Sequence, residues 1–182
     1  MIDHTRRCIF IHQRKVAGTS IITALGHSPD KPEWHRFNDG VLSPDWAGRD
    51  TGYFVFSAIR NPFDRLISAW KYLSCTRDRQ LLDCLRNPPR EGADYRHFTR
   101  PQIDILRDPE TGRLIIDDLI RFESLQRDFD RVCDRMGTAS QQLPHLNTTL
   151  RSRTYKDYFD TETHQLAERM FAEDIAMFNY EF

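Results

Sequence analysis

Two short segments of this chain combine residue types suited to holding an anion. In His12-Gln13-Arg14-Lys15-Val16-Ala17-Gly18-Thr19-Ser20, small residues let successive backbone N–H groups converge, and Lys15, Thr19 and Ser20 can add side-chain donors. In Arg60-Asn61-Pro62-Phe63-Asp64-Arg65-Leu66-Ile67-Ser68, the Arg60 guanidinium can grip a phosphate through two parallel bonds, with the Ser68 hydroxyl about two helical turns further on. The first segment is not a Walker A loop, which needs a lysine directly before the hydroxyl residue, whereas here Val16, Ala17 and a single glycine, Gly18, separate Lys15 from Thr19. A plainer reading stands beside the chemical one. Thr19 or Ser20 would simply cap a helix, Arg60 would pair with a carboxylate and Ser68 would be an ordinary helix residue. Two such turns in one small chain favour a nucleotide with separated phosphate-like groups.

The flanking residues say what positions these turns. Cys8 to His12 is a short apolar, β-branched run that predicts a buried strand, and Ile21, Ile22, Ala24 and Leu25 beyond the first turn have helical spacing. Tyr53 to Ile59 predicts a second buried strand. Pro62 then opens a helix with Leu66, Ile67, Ala69, Trp70 and Leu73 on its apolar side. Residues 26–51 read mostly as loop, Leu81 to Leu85 and Pro101 to Leu106 as helical, and 108–112 as a turn. Leu114 to Phe122 reads as a strand, Ser124 to Met136 as an amphipathic helix stopped by Gly137, and Thr161 to Phe178 as a last helix. Phe63, Trp70 and Tyr72 read as core, and Arg127, Arg131 and Arg135 as a solvated helix face. Strands alternating with helices predict an α/β fold with a central, mainly parallel sheet flanked by helices and a ligand crevice at the strands' carboxyl ends.

Composition narrows the function. Twenty-six Lys and Arg against 27 Asp and Glu leave a net charge of −1, which argues against a general nucleic-acid partner. The 182 residues fit one domain spanning 1–182. No apolar run reaches the roughly 18 residues that span a bilayer, and no signal segment is visible, so a cytoplasmic protein is expected. Cys8, Cys75, Cys84 and Cys133 show no paired spacing, which argues against both a zinc site and a disulfide framework. Only four of the 26 cations are lysines, a bias that fits either codon usage or recognition of planar oxyanions.

The two turns resemble the motifs of the PAPS-dependent sulfotransferases of the carbohydrate type, which include the heparan 2-O-sulfotransferases and bacterial relatives. His12 to Ser20 is similar to that family's 5′-phosphosulfate loop, H-I-P-K-T-A-G-T-S, with Gln13-Arg14 in place of Ile-Pro and Val16 in place of Thr. Arg60 to Ser68 matches its 3′-phosphate motif, R-N-P-[FY]-D-R-L-x-S, without departure. Gln102, the turn ending in Gly112, Asp117 to Leu125, Leu143 to Asn147 and Phe178 to Phe182 resemble further landmarks in the same order, so the likeness runs from about Cys8 to the end.

The resemblance implies a three-layer, P-loop-like fold. It implies 3′-phosphoadenosine 5′-phosphosulfate (PAPS) as donor and 3′-phosphoadenosine 5′-phosphate as product, with no metal. Lys15 would stabilise charge on the bridging oxygen of the leaving group. Arg14, Ala17, Gly18, Thr19 and Ser20 would line the 5′-phosphate, and Arg60 and Ser68 would hold the 3′-phosphate. Sulfuryl transfer to a hydroxyl also needs a base, and His35, preceding the second strand, is the candidate, with His12, His145 and Glu33 as alternatives. Arg151 and Arg153 add to the donor or acceptor site or form a solvated basic loop, and Gln102 is taken as an acceptor-side contact. The acceptor expected is a hydroxylated carbohydrate, glycolipid or small molecule; a long polysaccharide groove would need two chains, as in a homodimer. A nucleotide kinase or NTPase, and a non-catalytic nucleotide-binding module, are the competing functions.

Overall fold

The computed structural model describes residues 1–28, 52–144, 146 and 153–182. In chain order the elements are β1 (Ile2–Asp3), β2 (Cys8–Ile11), α1 (Gly18–Ala24), β3 (Phe54–Ile59), α2 (Pro62–Tyr72), α3 (Leu81–Arg86), α4 (Gly92–Phe98), α5 (Ile103–Leu106), β4 (Asp118–Arg121), α6 (Leu125–Met136), α7 (Thr161–Met170) and α8 (Ala172–Phe178). They fall into two compact units, residues 1–59 with 104–147 and residues 60–103 with 148–182.

The first unit holds the sheet, ordered β1-β2-β3-β4. The β2/β3 and β3/β4 pairs are parallel, with Phe10 opposite Phe56 and Ala58 opposite Ile120, while β1 pairs antiparallel with β2. All four β2 residues are buried, which is why they read as an unbroken apolar run rather than an alternating one. The core joins Phe10, Phe56 and Ile120 of the sheet to Ile21 and Ile22 of α1 and to Phe129 and Val132 of α6. This is an α/β fold with a mostly parallel four-stranded sheet flanked by helices.

The expected strand over 114–122 shortens to β4, because residues 108–112 turn the chain back on itself. Leu114 bridges Arg107, and the Ile115 N–H donates to the Leu106 carbonyl at 2.9 Å. Asp117 then rejoins the sheet, its N–H donating to the Val55 carbonyl and its carboxylate accepting the Val55 N–H, both at 2.7 Å. Gly137, at φ 66°, ends α6 in the left-handed conformation that glycine adopts without strain. The arginine face expected on α6 is exposed at all three members, and two of them also carry ion pairs with Asp118 that the sequence did not announce. Arg131 bonds Asp128 at 2.8 Å and Asp118 at 3.0 Å, and Arg135 bonds Asp118 at 2.7 Å, so both cations tie α6 to β4.

Asp3 is a buried carboxylate of this unit. It accepts the Arg6 N–H at 2.9 Å, the Arg6 guanidinium at 2.6 Å and the His27 Nε2 at 2.9 Å. Burial pushes its pKa up, but the Arg6 N–H, His27 and the Arg6 charge outweigh that and hold it at about 2. A depressed folded-state pKa contributes stability that is complete above the unfolded value near 4 and is lost as the pH falls through the folded value. Asp3→Asn should therefore remove most of the difference in stability between pH 5 and pH 2 that this site contributes, on the order of 2 kcal/mol, as read from urea melts at the two pH values.

The second unit is helical. Asn61 caps α2, its Oδ1 accepting the Phe63 N–H at 3.0 Å, and Pro62 occupies the first turn, where its missing N–H costs nothing. Phe63, Leu66 and Ile67 bury against Phe98, Ala167 and Phe171. The expected core role of Phe63 is realised and Trp70 is half-buried, but Tyr72 is 61% exposed, its ring stacked on His97. The expected single tail helix divides at Phe171. Its backbone, at φ −113° and ψ 23°, leaves the helical region so that a fully buried ring can enter the core. Helix α4 has no counterpart in the sequence reading, since Phe98 is its only buried residue and no apolar period announces it.

Among the described residues no helix is long and apolar enough to cross a membrane.

Candidate active site

The first turn belongs to the first unit and leaves β2 at Ile11. Lys15 (φ 68°) and Ala17 (φ 64°) both have left-handed backbone, which costs a non-glycine residue about 1–2 kcal/mol. Left-handed residues interspersed in a turn swing neighbouring N–H groups to one side and make a concave anion-binding nest, and strain of this kind concentrates at functional sites. Val16, between them, is fully buried and pins the turn to the core. Gly18 serves for a different reason: a Cβ there would fall on the His12 ring and displace it. That ring stacks on Phe10, with centroids 5.7 Å apart. His12 thus helps shape the floor of the turn.

Gln13, in place of the isoleucine of the resembled motif, is buried. Its amide donates to Ser57 Oγ at 3.4 Å, and Ser57 Oγ donates to the Ile11 carbonyl at 2.7 Å, so this position holds the turn to β3. The plain capping role considered for Thr19 and Ser20 is corrected. The N-cap of α1 is the left-handed Ala17, without a side-chain cap bond, and Thr19 and Ser20 lie inside the first helical turn. Ser20 is buried, and Arg14, Lys15, Ala17 and Thr19 are half-buried at the surface.

The second turn belongs to the second unit. Arg60 is only 8% exposed. Its Nε and Nη2 donate to Asp64 Oδ2 at 2.8 and 2.7 Å, the pairing that the plainer sequence reading anticipated. Its backbone is held as well. The Arg60 N–H donates to Gln102 Oε1 and the Arg60 carbonyl accepts from Gln102 Nε2, both at 2.9 Å. Gln102, 1% exposed, therefore supports Arg60 and is not an acceptor-side contact as expected.

The other motif residues are largely architectural. Asn61, besides capping α2, donates from Nδ2 to the Glu181 carbonyl at 2.8 Å. Arg65 is 2% exposed and donates to the Arg100 carbonyl at 2.6 Å, with its guanidinium 5.3 Å over the Phe171 ring. Burial pulls the Arg65 pKa down, and the negative charge of Asp174 works against that pull. Arg60 and Ser68 are left as the motif's ligand-facing candidates. Ser68 is buried on α2, and its hydroxyl makes no hydrogen bond among the described residues.

Asp174, fully buried, was not singled out in the sequence. It accepts the Gln102 N–H at 2.8 Å, Gln102 Nε2 at 3.2 Å and the Ile103 N–H at 2.9 Å. Its one sequence signal is an acidic residue on the inward side of a short amphipathic helix.

Of the remaining candidates, Arg153 is exposed. His35, Glu33, His145 and Arg151 lie outside the described residues. The four cysteines are free, Cys75 exposed and the other three buried; burial pushes the Cys8 thiol up to about 12 and also raises Cys75, Cys84 and Cys133. Among the described residues no group of His, Cys, Asp and Glu is arranged to hold a metal ion.

Searches of curated proteins and of solved structures returned no match. The model of the Sulfotransferase family matches residues 1–181, which include both anion-suited turns and all the strands and helices described above. The chain therefore belongs to the Sulfotransferase family.

Proposed function

We propose that this protein transfers the sulfuryl group of PAPS to a hydroxyl of an acceptor, a carbohydrate, glycolipid or small-molecule alcohol, using one sulfotransferase domain over residues 1–182. The observation that carries the reading is the first turn: a lysine in left-handed backbone, followed after Val16 by the small residues Ala17 to Ser20 and with no Walker lysine, in a chain of the Sulfotransferase family. The strand-turn-helix order and the parallel β2/β3/β4 ladder support a three-layer, P-loop-like arrangement. Four free cysteines accord with a reducing compartment.

In this reading Arg14, Ala17, Gly18, Thr19 and Ser20 line the 5′-phosphate, and Lys15 faces the oxygen that bridges phosphorus and sulfur. Arg60 and Ser68 take the 3′-phosphate. The acceptor oxygen forms a bond to sulfur while the sulfur–oxygen bond to the 5′-phosphate breaks. The hydroxyl proton passes to a base, and the leaving phosphate carries away the negative charge. Positioning and charge stabilisation supply most of the acceleration in such a transfer. His35 is the proposed base, since an imidazole titrates near neutral pH.

Adenosine 3′,5′-bisphosphate should raise the melting temperature in a thermal-shift assay, whereas Mg²⁺-ATP should do so far less. A larger shift with Mg²⁺-ATP would point to a phosphotransferase instead. In a transfer assay read by mass against a panel of hydroxylated acceptors, His35→Ala should lower turnover by about 10²–10⁴-fold and leave bisphosphate binding intact. Undiminished turnover would move the base to His12, His145 or Glu33, and no turnover by the unsubstituted protein would leave a nucleotide-binding module.

A further inference from the structure

Arg60 stands one residue past β3 and one before the cap of α2, where neither a sheet ladder nor a helix supplies partners for its peptide groups. Buried peptide groups must nevertheless be paired. Gln102 meets the need, presenting an acceptor to the Arg60 N–H and a donor to the Arg60 carbonyl as an adjacent strand would. Gln102 is itself fixed by Asp174, which accepts both its backbone N–H and its amide N–H. The guanidinium is restrained separately by Asp64. Arg60 is therefore held both through its backbone and through its side chain. A cation held in this way loses little further freedom on meeting a rigid anion, so its affinity depends on its supports.

We propose that Gln102, braced by Asp174, is a positioning residue for the 3′-phosphate subsite, fixing the Arg60 backbone and through it the aim of the guanidinium. This inference rests on the donor assignment made above. It assigns part of the enzyme's preference for a 3′-phosphorylated nucleotide to a buried amide that never touches that nucleotide.

The test is the ratio of affinities for adenosine 3′,5′-bisphosphate and adenosine 5′-monophosphate, measured by calorimetry on the full chain. Gln102→Met, close in volume but unable to pair with the Arg60 backbone, should lower the ratio about tenfold, with the 5′-monophosphate affinity unchanged. Placed in an Arg60→Ala background, the same substitution should leave the ratio where Arg60→Ala alone puts it. In the transfer assay the loss should appear in the KM for the donor rather than in kcat. Asp174→Asn keeps Gln102 in place but weakens its brace, and should lower the ratio about threefold, which preserves the test should Gln102→Met not fold. An unchanged ratio in both variants, or an equal fall in both affinities, would overturn the proposal and reduce Gln102 to a core residue. A ratio near one in the unsubstituted protein would instead overturn the donor assignment, and this inference with it.

Discussion

Lys15→Ala is expected to reduce sulfuryl transfer by about 10²–10³-fold while changing affinity for adenosine 3′,5′-bisphosphate by only a few fold. The asymmetry follows from where the charge is needed. The bridging oxygen gains negative charge only as its bond to sulfur breaks, so a cation aimed there stabilises the transition state more than either bound ground state. The product nucleotide would still meet the backbone nest around Ala17 and Gly18, which no side-chain truncation at position 15 removes. The left-handed backbone of Lys15 provides an internal control. Lys15→Gly removes the same ammonium group but relieves the strain, so it should be the more stable of the two variants and equally slow. Equal losses in kcat and in bisphosphate affinity would show that Lys15 only binds. Lys15→Arg should recover part of the activity, since it restores charge with a bulkier and less point-like head.

The features of the site that were legible in the sequence are those specified locally. Cys8 to Ile11 announces itself because a strand covered on both faces must be apolar without interruption, and Phe54 to Ile59 because its one polar residue, Ser57, sits in an otherwise apolar run. Asn61-Pro62 marks a helix start and Gly137 a helix stop for reasons contained within a few residues. The left-handed conformation of Lys15 and Ala17 was hidden, because neither residue type requires it and the surroundings impose it. The two-residue β1 was equally hidden, since it exists only by pairing with β2. Gln102 lies 42 residues from Arg60, and Asp174 lies 72 residues beyond Gln102, so their bonds are a property of the fold rather than of any local pattern. The ion pairs of Arg131 and Arg135 escaped in the same way, because nothing in the solvated helix face itself shows that Asp118 lies beside it.

Arg60→Ala is expected to weaken adenosine 3′,5′-bisphosphate binding about 10–100-fold, the consequence of losing charge-assisted hydrogen bonds worth roughly 1.5–3 kcal/mol, and to leave adenosine 5′-monophosphate binding nearly unchanged. The substitution has a second effect that has to be separated from the first. Asp64 Oδ2 accepts both Nε and Nη2 of Arg60, so truncation removes the cation from a largely buried carboxylate and lowers the stability of the fold. The double variant Arg60→Ala/Asp64→Asn removes that charge as well, and should recover much of the melting temperature without recovering bisphosphate affinity. Asp64→Asn alone makes the converse point. With its ionic restraint gone but its charge kept, Arg60 should still distinguish the bisphosphate from the monophosphate, with a ratio reduced by the freedom the guanidinium has regained. If the double variant bound the bisphosphate as tightly as the unsubstituted protein, Arg60 would be a structural partner of Asp64 and the 3′-phosphate would have to be held elsewhere. If the single variant lost both nucleotides in proportion to its stability, the motif would be an architectural one throughout, as Asn61, Phe63 and Arg65 already are.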